Sequence, residues 1–285
     1  MKYDLHSHST ASDGQLSPAR LVERAHARGV DVLALTDHDV LDGLPEAQHA
    51  AARLGLILVP GVEISVTWEE RLIHILGLGI DPDNPQLQAG LAGLRELRRH
   101  RAREIGRRLE RLGIGGAYEG ALALAGGEVL SRSHFARFLV AEGLGRDFKT
   151  VFRRYLGRGK PAYVSCRWAA LEEAVAWIRA AGGQAVVAHP ARYQMGRRLF
   201  ERFLQAFTAA GGCGIEVVSS SHDHKDCRTM AAWAQRFGLY ASAGSDFHGV
   251  ADGWAELGRI PALPSGCRPI WQDWELGQAA RAEGV

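Results

Sequence analysis

Long hydrophobic runs are missing from this chain. No apolar stretch approaches the roughly 18 residues that a membrane-spanning helix needs. The opening, Met1-Lys2-Tyr3-Asp4-Leu5-His6, lacks the apolar segment of a secretory signal. Both absences point to the cytoplasm and away from a membrane. Cysteine is scarce as well: Cys166, Cys213, Cys227 and Cys267 are scattered, with no Cys-x-x-Cys pair. That argues against a disulfide frame and a zinc–thiolate site, and for reduced thiols. There is no Gly-x-Ser-x-Gly elbow and no Gly-x-x-x-x-Gly-Lys phosphate loop, so serine-hydrolase and P-loop chemistry are set aside. Internal repeats and low-complexity tracts are also absent.

What is present is a globular composition. With 285 residues, 46% apolar and 23% charged, the chain can bury a sizeable core as two average domains or one large barrel. Its net charge of +2 hides an asymmetry. Residues 92–165 hold 16 basic and 7 acidic residues, a net of +9, which leaves −7 for the rest. Residues 95–111 alone carry eight arginines and three glutamates. A basic segment inside an acidic frame points to an anionic partner, although a solvated arginine-rich helix face explains much of it. No exposed apolar repeat is evident, so a monomer is expected.

Strand and helix alternate over the first 80 residues. Strands are predicted at 3–6, 30–36, 56–59 and 72–78, and helices from Ser17-Pro18 to near Gly29 and over 44–54. Continuous apolar strands separated by helices imply parallel pairing. From Pro85 to about Arg111 the pattern is helical, with shorter helices at 118–125, 133–142 and 148–156. A strand is predicted at 162–165. Alternation then resumes, with helices at 171–181, 197–210 and 223–237 and strands at 185–188, 215–218 and 239–242. The tail after Pro261 reads as irregular to weakly helical. This is an α/β barrel over 1–97 and 165–285, interrupted by a helical insertion at 98–164.

The chain has 12 histidines, and their placement carries the chemistry. His6 and His8 flank Ser7 at the end of the first strand, where alternation puts both imidazoles on one face, able to grip one metal ion. Asp13 follows in a polar loop. Later strands end in Thr36-Asp37-His38, Gly61-Val62-Glu63 and Ala188-His189-Pro190, and the last in Gly244-Ser245-Asp246-Phe247-His248. His74 lies on the fourth strand and His134 inside the insertion. In a barrel such strand ends converge on one face. Nine candidate ligands, His6, His8, Asp13, His38, Glu63, His74, His134, Asp246 and His248, exceed the needs of one ion and suit two or three. Clustered metals activate water and clamp an in-line displacement at phosphorus.

This ordered series resembles the PHP (polymerase and histidinol phosphatase) superfamily over nearly the whole chain, and within it the phosphoesterases with a helical insertion. The resemblance implies a distorted seven-stranded βα barrel with two to three divalent ions, manganese first, iron or zinc as alternatives. It assigns His6, His8, Glu63 and Asp246 to the first ion. It makes Glu63 a bridge to a second held by His74 and His134, and gives Asp13, His38 and His248 the third. Asp13 stands where many relatives carry histidine, which implies a harder site favouring manganese or iron over zinc.

His189 and Asp37 are expected beside the reacting groups, His189 as phosphate contact or general acid. Arg132, Ser133 and Arg192 are expected on the substrate. The implied reaction is hydrolysis of the 3′-phosphate of a nucleoside 3′,5′-bisphosphate to the 5′-monophosphate. The basic insertion would bind the second phosphate. The alternatives are a 5′→3′ exonuclease on short RNA or DNA and a histidinol phosphatase, whose cationic substrate fits a basic insertion poorly. A non-catalytic PHP module is the last alternative. The complete ligand set and the absence of an attached polymerase speak against it.

Overall fold

The computed structural model of the protein describes residues 1–249 and 255–274. Its strands are β1 (Tyr3–Asp4), β2 (Val32–Leu35), β3 (Ile57–Trp68), β4 (Arg71–Leu78), β5 (Ala169–Ala170), β6 (Gln184–Val187), β7 (Gly214–Ser219) and β8 (Tyr240–Gly244). Seven of them run in the order β1-β2-β3-β4-β6-β7-β8, and the short β5 pairs with β3 off that path. The first and last strands meet through Leu5 N–H donating to Ala243 O at 3.0 Å and His8 N–H to Phe247 O at 2.9 Å. The result is a nearly closed, mixed seven-stranded barrel.

The expected parallel pairing does not hold throughout the sheet. β3 pairs antiparallel with β4, and β4 antiparallel with β6. The cause is a tight hairpin at Glu69 and Glu70, whose φ angles of 43° and 60° are those of a primed two-residue turn. Such turns favour Asn and Gly, so two glutamates gave no signal. The Pro60-Gly61 pair also misled: β3 runs through it for 12 residues. Pro60 lacks an N–H, but its carbonyl accepts from Gly79 at 2.8 Å. Glu63 therefore lies within a strand rather than beyond one.

The helices are α1 (Pro18–Ala27), α2 (Leu44–Leu54), α3 (Pro85–Arg111), α4 (Ala117–Ala123), α5 (Arg132–Ala141), α6 (Phe148–Val151), α7 (Leu171–Ala180), α8 (Arg197–Ala209) and α9 (His224–Phe237). A π-helical turn follows α6 over Phe152–Leu156. Helix α1 starts at the Ser17 cap with Pro18 in its first turn, as the sequence predicts. Helix α3 joins two cores. Leu87, Leu91 and Leu94 pack into the barrel core, whereas Ala102, Ile105 and Leu109 enter a second core with Phe135, Leu139 and Val151. The strand predicted at 162–165 is absent. Ala162 and Val164 instead fill that second core, which helices and turns build. No described helix is long and apolar enough to cross a membrane. The end of the predicted weakly helical tail, 275–285, lies outside the described residues.

Candidate metal centre

The strand ends converge as a barrel requires, and their side chains are buried. His6, His8 and Glu63 are 0% exposed and Asp246 is 2% exposed. His6 Nε2 lies 3.1 Å from His8 Nε2, 3.3 Å from Glu63 Oε2 and 3.4 Å from Asp246 Oδ1. That spacing matches the edges of a tetrahedron around one ion with bonds of about 2.1 Å. A second group is Asp13, His8, His38 and His248, and a third is His38, Glu63 and His74. His248 Nε2 is 3.3 Å from Asp13 Oδ1, and His74 Nδ1 is 2.8 Å from Glu63 Oε1.

Electrostatics demand cations here. Glu63 Oε2, Asp13 Oδ1 and His38 Nδ1 are buried with no hydrogen-bond partner, each costing about 1–3 kcal/mol if left so. Burial would raise the Glu63 carboxyl, but His38, His74 and His6 around it hold it well below the usual range. Asp246 and Asp13 are lowered in the same way, Asp246 by His6 and His248 and Asp13 by His248 and His38. Burial lowers His6, yet Glu216, Glu63 and Asp246 outweigh it and raise it well above its ordinary value. Cations in the cup would take over this role from the imidazoles, so the donor set fits divalent ions.

Partners behind the donors aim them. Glu216 on β7, fully buried, takes His6 Nδ1 at 3.0 Å on one oxygen and accepts the His189 N–H at 2.5 Å on the other. This leaves His6 Nε2 facing the cup. Sequence reasoning missed Glu216, although an acid in the apolar run Ile215-Glu216-Val217-Val218 must be paired to be buried. Asp39, His189 and Asp246 hold φ of 55°, 29° and 53°. Each such non-glycine conformation costs about 1–3 kcal/mol and persists only where its surroundings enforce it. Gly244 shows how tight the packing is. A Cβ there would meet the Cβ of His6 and come within 2.7 Å of the His6 backbone nitrogen. Gly244→Ala should destabilise the protein by about 1–3 kcal/mol and displace His6. Urea unfolding and metal analysis of the same sample would check both.

Two expected residues sit differently. His134 is buried, but its Nδ1 accepts from the Ser131 N–H at 3.1 Å in the cap of α5, and it joins none of the donor groups. His189 takes the position beside His74 instead, with Nε2 3.0 Å from Glu63 Oε1. Burial lowers both imidazoles to about 4. Asp37 turns away from the cup. Its carboxylate accepts Ser9 N–H at 2.8 Å, Ser9 Oγ at 2.6 Å and Ser12 Oγ at 2.5 Å, clamping the loop that carries Asp13. A further His-x-His in the chain, His222-Asp223-His224, stays outside the cup, with His222 bonded to Val217 O and Asp223 capping α9 before His224.

The cup holds about 180 Å³ and its far wall is basic. Arg98, Arg101, Arg132 and Arg192 line it with Ser131, Ser133, Phe152 and Trp168. Arg98 pairs with Asp39 at 2.6 Å and bonds Ser65 Oγ at 2.9 Å, and Arg192 reaches Asp246 at 2.8 Å. Arg101 and Arg132 pair with no carboxylate among the described residues. Arg101 bonds Val164 O and lies over Trp168, and Arg132 lies over Phe152 and Tyr163. Burial, then repulsion from Arg132 and Arg98, lowers Arg101 to about 9. The same two arginines line a narrow recess of about 70 Å³ behind the cup, with Arg71, Tyr163 and Arg167.

Known proteins match this architecture. The PHP domain family model matches residues 4–220. The 3′,5′-nucleoside bisphosphate phosphatase of Chromobacterium violaceum is 54% identical over 273 residues, 95% of this chain and 96% of its own length. A 5′-3′ exoribonuclease of Haemophilus influenzae is 48% identical over 271 residues, 95% and 98% of the two chains. Among solved structures, an amidohydrolase from Chromobacterium violaceum with bound sulfate and no metal superposes with a TM-score of 0.92 at 53% identity, covering 95% of both chains. A metal-dependent phosphoesterase from Bifidobacterium adolescentis superposes with a TM-score of 0.81 at 29% identity, covering 96% of this chain and 94% of its own. The match over most of the chain, the barrel and the buried donor groups agree: this chain belongs to the PHP domain family.

Proposed function

We propose that the protein is a cytoplasmic, metal-dependent phosphoesterase that removes the 3′-phosphate from nucleoside 3′,5′-bisphosphates and leaves the 5′-monophosphate. The observation that carries this reading is the pairing of the buried donor cup with two unpaired arginines on its wall. A substrate with two phosphates puts one over the metals and the other on the arginines. The 54% identical bisphosphate phosphatase supports it.

Three divalent ions, manganese by preference, would be held by this chain. His6, His8, Glu63 and Asp246 hold the first, and Asp13, His38 and His248 the third. For the second, His189 joins Glu63 and His74 in the place that resemblance gave to His134. When bound, the ions lower the pKa of a water and neutralise the oxygens on phosphorus. The protein's share is placement. Arg192 reaches over Asp246 to the scissile phosphate, and Ser133 faces the same cavity at the start of α5. The insertion, 98–164, roofs the cup, and Arg101 and Arg132 hold the 5′-phosphate in the narrow recess. The same P–O3′ bond is the one broken when a 5′-mononucleotide leaves the 5′ end of a strand, and the 48% identical relative is a 5′-3′ exoribonuclease.

Manganese-reconstituted protein should release one phosphate per adenosine 3′,5′-bisphosphate and act slowly on 3′-AMP and 5′-AMP. Equal rates on all three would overturn the reading. Metal analysis tests the second site. His189→Ala should lose about one ion per chain, whereas His134→Ala should keep the full complement, and the reverse result would restore His134 as the ligand.

A further inference from the structure

The β4–β6 strand pair ends in an irregularity next to the cup. Its register sets Ile75 opposite Val187 and Leu76 opposite Val186, which makes His74 and Ala188 the next pair. An antiparallel pair of the hydrogen-bonded kind exchanges two N–H···O bonds. Here only one is direct: Ala188 N–H donates to His74 O at 3.1 Å. The phenol of Tyr193 stands in place of the other. Its hydroxyl accepts the His74 N–H at 2.9 Å and donates to Ala188 O at 2.8 Å, with His74 O farther away at 3.4 Å.

A second departure follows at the next residue. Side chains alternate along a strand. Leu76, Val186 and Ala188 face the barrel interior with Leu5 and Ala34, whereas Ile75 and Val187 belong to the core beneath the helices. Continued regularly, β6 would send His189 outward with Val187. His189 instead turns into the cup, with φ of 29° and Nε2 3.0 Å from Glu63 Oε1. That φ goes with the tilt of the Ala188–His189 peptide, and side chains hold both polar groups of this peptide. Tyr193 bonds its carbonyl, and Glu216 accepts its N–H. Tyr193 is placed by the 3-10 turn Pro190–Tyr193, which also brings its ring edge-on to His189 with centroids 5.6 Å apart.

Resting on the reading that His189 is a donor to the second ion, we propose that Tyr193 is a positioning residue for that ion. Its hydroxyl clamps the Ala188–His189 peptide so that His189 meets Glu63 beside His74. Glu216 holds the other end of the same peptide, but it also holds His6 and so bears on the first ion as well. His74 has an anchor of its own, its pairing with Ser65 across β3. Loss of the phenol oxygen therefore falls on His189. Without it the His74 N–H is free to close on Ala188 O, the peptide is released at one end, and the positive φ relaxes.

The test reads manganese binding to the whole chain with no substrate present. Tyr193→Phe keeps the ring against His189 and removes one oxygen. It should raise about 10–100-fold the dissociation constant of the one manganese that His189→Ala loses, the usual cost of losing a partner behind a ligand. The remaining ions should bind as in the parent. Combining Tyr193→Phe with His189→Ala should give the binding of His189→Ala alone, because a group that acts through His189 then has nothing left to act on. A tyrosine that merely supports the fold would weaken both backgrounds alike. Circular dichroism of the metal-free variants checks that the barrel is intact. Parent-like affinity in Tyr193→Phe where His189→Ala loses an ion, or an equal further loss in the double variant, would refute the positioning role. Retention of every ion by His189→Ala would instead sink the ligand assignment on which that role rests.

Discussion

Glu63→Gln is expected to reduce turnover at least about 10³-fold and to strip the protein of most of its metal. Glu63 stands at the junction of two donor groups, with His6 and His8 on one oxygen and His74 and His189 on the other. It is fully buried in the middle of β3, opposite Leu76. Glutamine keeps the shape and removes the charge. A neutral amide is a weak ligand for a hard cation, and its NH₂ would point donors at the ions. The barrel itself should survive. Glutamine fills the same space, so circular dichroism should stay near that of the parent, whereas loss of the charge that His38, His74 and His6 stabilise should lower the unfolding midpoint. Retention of both metal and turnover would show that the cup is not the reacting centre. Loss of turnover with full metal content would move Glu63 from ligand to some other role.

Arg101→Met combined with Arg132→Met should lower kcat/KM for the bisphosphate by about 10²–10⁴. Hydrogen bonds to charged groups contribute about 1.5–3 kcal/mol each, and two guanidiniums would be lost. The effect should fall on discrimination. 3′-AMP lacks the 5′-phosphate and never used these arginines, so the preference for the bisphosphate over 3′-AMP should collapse. Stability gives a second readout. Both arginines face each other without a carboxylate, and burial already lowers Arg101 to about 9. Relieving that repulsion should leave the double variant at least as heat-stable as the parent, the pattern of a functional site held at a cost in stability. A large loss of stability with unchanged discrimination would make the two residues structural.

Much of this was legible from residue order alone. Helix α3 was expected over the span it occupies because the pattern from Pro85 to Arg111 is helical and arginine-rich, and Gly90, Gly93 and Gly106 do not break it. His6, His8, His38, Asp246 and His248 stood out because they follow apolar strands, and parallel barrel strands deliver their ends to one face. The divided charge also marked the segment that contributes Arg98, Arg101 and Arg132 to the wall of the cup.

Other features were decided only by the tertiary fold. The β3–β4 hairpin turns on two glutamates with positive φ, a conformation that residue preference does not announce. The choice between His134 and His189 beside Glu63 depends on which ring nitrogen each backbone leaves free. Ser131 N–H engages one histidine, while Glu216 holds the backbone of the other. Asp37 is adjacent in sequence to the candidate metal donor His38, yet Ser9 and Ser12 turn it away. Arg98 and Arg101 lie one turn apart on α3, yet only Arg98 meets an acid. The sequence by itself determined which kinds of atoms gather at the mouth of the barrel, because strand ends and polar residue types are local properties. Which of those atoms face one another, and which cations stay unpaired to meet a substrate, was decided by the tertiary structure, because side-chain direction follows from register, caps and partners far apart in the chain.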